Sequence, residues 1–297
     1  MPEDDPPGKF APTALGLTHY VLNGRGPLIV FSTGIFSDLS VFEAVICQLC
    51  ASGFSCLVYE HYDRGWSKSA SPIRSGRHAL PFNVDLHVNQ LFELICHLKL
   101  ETTRFLLVGH SMGAGVVTGF QNRHPELVRG VVLINGVILP TVKPSVYYAT
   151  LLPYVGEMIT EAYGRPSILR FVQAAHNNPG HPRVRRRIDH LAERLQEPRF
   201  FASCVSTLRN FAGLTGSHRP GFVLLARSDT PIMLIWGDAD VSCPREHCDS
   251  LCAIGAASGN TVRREWLPGA RHDSFGPDTD NAARVARWIA EFSLASR

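Results

Sequence analysis

The sequence predicts an α/β fold, with a mostly parallel central sheet, helices on both faces and one helical insertion. Three observations predict it. Short apolar runs of strand length alternate with longer stretches of helical spacing in both halves of the chain, and such alternation implies right-handed crossovers between parallel strands. The alternation breaks between Pro140 and about Ser228, where helical patches and prolines occur without a clear buried strand. The chain has 297 residues, 45% of them apolar and 19% charged, an ordinary globular balance that suits one large domain with an insertion.

The elements follow in order. The N-terminus, MPEDDPPGKFAP, is acidic and proline-rich, lacks the basic and apolar regions of a signal peptide, and reads as a flexible tail over residues 1–12. Leu17–Leu22 and Leu28–Ser32 are apolar runs joined by Asn23-Gly24-Arg25-Gly26-Pro27, which reads as a hairpin. Val41–Ala51 has helical spacing, and Ser55–Tyr59 is a short buried strand. Phe82–Leu100 carries Leu91, Leu94, Ile95 and Leu98 on one helical stripe. Phe105–Val108 is a strand, Met112–Arg123 a helix that ends before a His-Pro pair, and Gly130–Ile134 a strand. After the insertion come strands at Ile232–Trp236 and Thr261–Trp266 and a helix over Asn281–Leu294. The sheet domain is thus expected over 13–139 and 229–297, with the insertion over 140–228.

Bulk charge excludes little and suggests little. The net charge of +3 is too mild to argue for nucleic acid. The dense basic run Arg183–Arg187 reads as a solvated helix face. No apolar run is long enough to span a bilayer; peripheral membrane contact stays open, and so does the oligomeric state. The eight cysteines fall in or beside apolar elements in several cases, as at Cys47, Cys50, Cys56 and Cys96, where a thiol packs as a small hydrophobe. Free thiols and a cytoplasmic location are the expectation.

The chemistry concentrates at three strand ends. Gly109-His110-Ser111-Met112-Gly113 is a G-x-S-x-G motif lying directly after a buried strand and opening a helix. That context is what a nucleophile elbow requires. Gly109 and Gly113 flank a turn too tight for side chains, and the helix N-terminus favours developing negative charge. A serine nucleophile needs a base, and the base an orienting acid. Asp240 follows the strand ending at Trp236, and His272 follows the next strand; both belong where loops gather at the carboxyl edge of the sheet. Ser111, Asp240 and His272 are therefore the expected catalytic triad.

These residues resemble the α/β-hydrolase superfamily, in the serine-nucleophile branch with a helical cap that includes lipases, esterases and carbon–carbon bond hydrolases. The resemblance covers nearly all of the chain beyond the tail. Gly237, Asp240 and Pro244 match the family's G-x-x-D-x-x-x-P acid loop, which selects Asp240 over Asp238. Glu60-His61-Tyr62-Asp63-Arg64-Gly65-Trp66-Ser67 resembles D-x-x-G-R-G-x-S, with Glu60 in place of aspartate and Asp63 in place of glycine. That segment braces loops in the family. His124-Pro125-Glu126 also resembles it. The oxyanion loop departs from the usual His-Gly, reading Thr33-Gly34-Ile35-Phe36-Ser37. The resemblance implies backbone donors at Ile35 and Met112, each stabilising an oxyanion by about 3 kcal/mol.

The implied reaction is hydrolysis of a carboxylic ester with a small to medium acyl group, lipid-derived in one version such as a monoacylglycerol, through an acyl-enzyme. It needs no cofactor and no metal. A carbon–carbon bond hydrolase and an acyl thioesterase remain open, since both use the same triad, and so does a non-catalytic receptor on this fold. The aspartate-nucleophile haloalkane and epoxide hydrolases are disfavoured by Ser111. Cys243, His247, Cys248 and Cys252 cluster as if for zinc, but their spacing is mostly helical and no second ligand pair follows. Cys47-Gln-Leu-Cys50 lies inside an amphipathic helix rather than at a redox helix start. The insertion is rich in apolar side chains, among them Val146, Tyr147, Tyr148, Leu151, Leu152, Tyr154, Val155, Met158 and Ile159, with Ile168, Leu169, Phe171, Val172, Phe200 and Phe201 further on, and part of it is expected to supply an apolar acyl pocket.

Overall fold

A computed structural model describes residues 7–74, 77–139, 148, 150–152, 154–211, 219–260 and 262–296. The strands of the main sheet are β1 (Lys9–Thr13), β2 (Gly16–Gly24), β3 (Leu28–Ser32), β4 (Ser55–Tyr59), β5 (Phe105–His110), β6 (Val128–Ile134), β7 (Ile232–Gly237) and β8 (Val262–Leu267). They lie in the order β1-β2-β4-β3-β5-β6-β7-β8. The first two ladders are antiparallel and the other five parallel. A two-residue strand, Lys68–Ser69, also pairs with the start of β2.

The edge strand β8 is largely part-buried and carries Arg263, Arg264 and Glu265, whereas the inner parallel strands are buried on both faces, which is why they read as mostly apolar runs. Their side chains alternate between two cores. In β5, Leu107 faces the layer formed with helices α2 (Val84–His97), α3 (Met112–Arg123), α7 (Arg219–Arg227) and α8 (Arg245–Ala257). Leu106 and Val108 face the layer formed with α1 (Glu43–Ala51) and α9 (Ala282–Ala295). The Asn83 side chain caps α2 by accepting from the Leu86 N–H at 2.9 Å. Between the described ends of β6 and α7 lie α4 (Val155–Ala175), α5 (Pro182–Arg194) and α6 (Pro198–Asn210). These three have an apolar cluster of their own, including Ile168, Leu191, Phe200 and Phe201.

The structure departs from expectation at three places. β2 and β3 do not form a hairpin: β4 lies between them, with Tyr20 opposite Tyr59. Gly24 and Gly26 serve a different need, because a Cβ there would meet the carbonyl oxygens of Phe54 and Gly53 at 2.1 and 2.2 Å. The hairpin is β1–β2 instead, so Lys9–Pro12 belong to the sheet rather than to a tail. The insertion also ends before residue 228, since Phe222, Leu225 and Ala226 of α7 are buried in the core layer with Phe120 and Trp236.

Of the apolar residues expected to line a pocket, Ile168, Phe200 and Phe201 are buried and Val172 and Phe200 line a cavity, but those at the start of the insertion are placed differently. Tyr148, Leu151, Leu152, Tyr154, Val155 and Met158 are all exposed, while Val146 and Tyr147 lie outside the described residues. Among the described residues no helix is long and apolar enough to cross a membrane.

Candidate active site

Ser111 sits at the turn from β5 into α3 with φ 55° and ψ −117°, a conformation that costs a non-glycine residue energy and persists only where the surroundings impose it. Packing imposes it here. A Cβ at Gly109 would lie 2.5 Å from the Gly113 carbonyl oxygen, and one at Gly113 would lie 2.1 Å from the Ser32 carbonyl oxygen. Both glycines are thus needed for α3 to approach β3 and β5 closely enough to close the turn. The Ser111 N–H donates to the Ile134 carbonyl at 3.0 Å, anchoring the elbow to β6.

The loops after β7 and β8 bring the acid and the imidazole to the serine. His272 Nε2 is 2.9 Å from Ser111 Oγ, and His272 Nδ1 is 2.8 Å from Asp240 Oδ2. All three residues are buried. The other carboxylate oxygen of Asp240 accepts from the N–H groups of Ser242 and Cys243 at 2.8 and 2.9 Å. An ionised acceptor on Nδ1 assigns the imidazole proton to that nitrogen and leaves Nε2 as a lone pair facing the hydroxyl. Burial opposes the imidazolium, but the adjacent Asp240 carboxylate, together with Cys243, outweighs it and holds the His272 pKa well above 6.5. Asp238 is exposed and turns elsewhere, accepting from the Gly269 N–H at 2.6 Å.

Met112 follows Ser111 directly, and Ile35 follows Gly34 in the loop after β3. The Met112 N–H belongs to the first turn of α3, whose donors lack intrahelical acceptors. Gly34, just before Ile35, lies so close that a Cβ on it would be 3.3 Å from Ser111 Cβ. The Ile35 carbonyl is held from behind by Arg64, whose Nε donates to it at 2.9 Å. The same buried guanidinium donates to Ser203 and Thr207 of α6. Sequence reasoning missed this link, because residues 203 and 207 belong to an element whose placement no local pattern reveals. Within the Glu60–Ser67 segment, Glu60 accepts from the Trp66 N–H and faces His19 Nδ1 at 3.0 Å, while Asp63 accepts from Ser69.

Two more missed residues hold the histidine loop. Asn135, at φ 45° just after β6, donates from Nδ2 to the His272 carbonyl at 2.5 Å and accepts from the Gly237 N–H at 2.9 Å. His110 Nε2 donates to the same His272 carbonyl at 3.1 Å. Burial, reinforced by His272 nearby, pushes the His110 pKa down to about 3, so its ring stays neutral. It packs between Phe42 and Phe275. The only sequence signals were the x position of the motif for His110 and a strand-end asparagine for Asn135.

The four residues that suggested zinc do not converge. His247 Nδ1 accepts from the Ile138 and Leu139 N–H groups at 3.1 and 3.2 Å. The Cys248 and Cys252 thiols hydrogen-bond to each other on α8. Cys243 turns instead toward His272 and Asp240. A cavity of about 790 Å³ lies between the sheet domain and α4–α5, lined by residues including Phe36, Trp66, Val172, His176, Arg187 and Asp273. Ser111 is not in its lining, but Phe36 and Asp273 are the chain neighbours of Ile35 and His272, so its inner wall abuts the site.

Known proteins show the same architecture. Residues 26–279 match the serine aminopeptidase S33 family of hydrolases. An uncharacterized protein of Mycobacterium tuberculosis (strain H37Rv) is 26% identical over 270 residues, covering 86% of this chain and 72% of that protein. An esterase from Thermogutta terrifontis superposes with a TM-score of 0.72 at 19% identity, over 97% of this chain and 98% of its own. A meta-cleavage product hydrolase from Pseudomonas fluorescens superposes with a TM-score of 0.75 at 14% identity, over 98% of both chains. The likeness to the two solved structures is one of fold, whereas the match over residues 26–279 is one of sequence, and by it this chain belongs to the serine aminopeptidase S33 family of α/β hydrolases.

Proposed function

We propose that this protein is a serine hydrolase that cleaves a carboxylic ester of small to medium acyl length through an acyl-enzyme. The observation that carries the reading is the continuous relay from Ser111 Oγ through His272 to Asp240, at 2.9 and 2.8 Å. His272 Nε2 takes the Ser111 proton as Oγ attacks the acyl carbonyl. Asp240 keeps the other ring nitrogen protonated and stabilises the imidazolium. The N–H groups of Ile35 and Met112 receive the oxyanion. His272 then gives its proton to the leaving alcohol, the acyl-enzyme forms, and a water activated by the same imidazole releases the acid. No cofactor or metal enters these steps.

Helices α4–α6 act in this reading as a cap that bounds the substrate. Part of the wall beside the triad is aromatic: Phe171 of α4 lies with its ring 6.0 Å from that of Phe36 and 6.3 Å from that of His272. That supports an acyl group with apolar character, seated on Phe36 and Phe171 rather than on the exposed residues at the start of α4. Each buried methylene contributes about 0.8 kcal/mol, so kcat/KM should climb by roughly tenfold per two fully buried carbons until the wall is covered. The experiment is a series of p-nitrophenyl acetate, butyrate, octanoate and palmitate under one condition, with an acyl thioester and a ring-fission dienoic acid alongside. A steady fall from acetate onward would remove the apolar acyl site. Fast cleavage of the dienoic acid with all esters poor would replace ester hydrolysis by carbon–carbon bond hydrolysis.

A further inference from the structure

The relay has a third buried neighbour that ester hydrolysis does not use. A ligand atom from each of Asp240, Cys243 and His272 lies within 4.8 Å of the other two, and all three side chains are buried. Asp240 approaches His272 from the Nδ1 side, and the Cys243 N–H is bonded to that same carboxylate. The Cys243 thiol hydrogen-bonds the His272 ring, whose Nε2 is already engaged by Ser111 Oγ and whose Nδ1 faces Asp240. The Cys243 main chain is fixed independently, because its carbonyl accepts from Trp236 Nε1 at 2.8 Å.

One thiolate sulfur, one imidazole nitrogen and one carboxylate oxygen make a ligand set that suits Zn²⁺, leaving a fourth position for water. Zinc–ligand bonds of about 2.0–2.3 Å in a tetrahedron put neighbouring ligand atoms roughly 3.3–3.8 Å apart. Nδ1 and Oδ2, at 2.8 Å, need to open by about half an ångström to reach that spacing, and the sulfur, within 4.8 Å of both, needs to close by at most about an ångström. Such a shift is a side-chain adjustment on two loops, not a refolding.

We propose that Asp240, Cys243 and His272 form an inhibitory site for a soft divalent cation, Zn²⁺ by its ligand chemistry, which silences the hydrolase by capturing its base. This rests on the reading of Ser111 and His272 as nucleophile and base. The proton balance explains the inhibition. Zinc takes the lone pair of Nδ1, so the proton that Nδ1 carried moves to Nε2. The Cys243 thiol loses its proton to solvent as the Zn–S bond forms. The imidazole remains neutral overall, but Nε2–H now donates toward Ser111 Oγ and has no lone pair to accept its proton. The nucleophile loses its base while staying in place. Because the site is buried, inhibition develops on incubation with the metal.

The test uses the full chain purified without chelator and incubated with ZnCl₂. Ester hydrolysis and fluorophosphonate labelling of Ser111 should fall together, and EDTA should restore both. Within each variant the rate with metal is compared with the rate without it. Cys243→Ser should raise the half-inhibiting Zn²⁺ concentration by about tenfold or more, whereas Cys252→Ser, which removes a thiol of α8, should leave it unchanged. In the Cys252→Ser background, Co²⁺ should produce a thiolate-to-metal charge-transfer absorption that further substitution by Cys243→Ser or Cys243→Ala abolishes. The cobalt spectrum needs no turnover. A chain that hydrolyses no ester yet shows the Cys243-dependent band would overturn the hydrolase reading and support the metal site. Labelling of Ser111 unaffected by saturating Zn²⁺, or inhibition and a cobalt band that survive in both Cys243 variants, would overturn the metal site.

Discussion

Asn135 Nδ2 donates to the carbonyl oxygen of His272 at 2.5 Å, across 137 positions of sequence. Through its Oδ1 the same side chain receives the Gly237 N–H at the start of the acid loop. One amide therefore spans the two loops that carry the acid and the base. Asn135→Ala should lower kcat by up to about a hundredfold, the scale of loss expected when a reacting group shifts by an ångström, with KM little changed. Steady-state kinetics on the preferred ester check this; an unchanged kcat would show that His110 alone suffices to hold His272.

Asp240 and Asp238 should differ sharply. Asp240 bonds His272 Nδ1, while Asp238 bonds the Gly269 N–H on the surface. Asp240→Asn should lower kcat by roughly 10⁴ by favouring the wrong imidazole tautomer. Asp238→Asn should retain most activity, since it touches loop geometry alone. The reverse order of the two effects would remove Asp240 from its role.

The pH profile should show one rising limb. The His272 pKa is held well above 6.5 by Asp240 and Cys243, against the opposing effect of burial. Only the neutral ring accepts the Ser111 proton, so kcat/KM rises with pH through that ionisation and is lost as pH falls below it. His110 adds no second limb, because burial keeps its pKa at about 3. A profile flat across roughly pH 5 to 9, which brackets an ordinary histidine, would exclude histidine as the base.

Gly113→Ala should destabilise the fold as well as the site. The added methyl would meet the Ser32 carbonyl at 2.1 Å, so α3 must move away from β3. Overpacking of this kind costs about 1–3 kcal/mol or more. A lowered urea midpoint with an unchanged slope would be its signature, whereas a wild-type midpoint would show that the turn can relax.

The readable part of this molecule is its local part. The bounds of β4 and α3 were legible to the residue because each is a short buried run with its own boundary signals. That Ser111, Asp240 and His272 meet was legible because the nucleophile turn has a glycine pattern and the other two follow strands at the same sheet edge. What stayed hidden was carried by long-range pairing. Gly24 and Gly26 look like a hairpin turn, yet they make room for the carbonyls of Phe54 and Gly53 between α1 and β4. Arg64 looks like part of a bracing motif, but its partners Ser203 and Thr207 lie 139 and 143 positions away and meet it only after folding. Apolar richness near residue 150 signals burial, but the described side chains there face outward.

The central claim is that Ser111 is the nucleophile, and Ser111→Ala tests it most directly. The variant should fold like the parent by circular dichroism and urea unfolding, because among the described residues the hydroxyl bonds His272 Nε2 alone. It should lose fluorophosphonate labelling completely and lose kcat by on the order of a million-fold. Purified Ser111→Ala that keeps most of its ester hydrolysis would contradict the account.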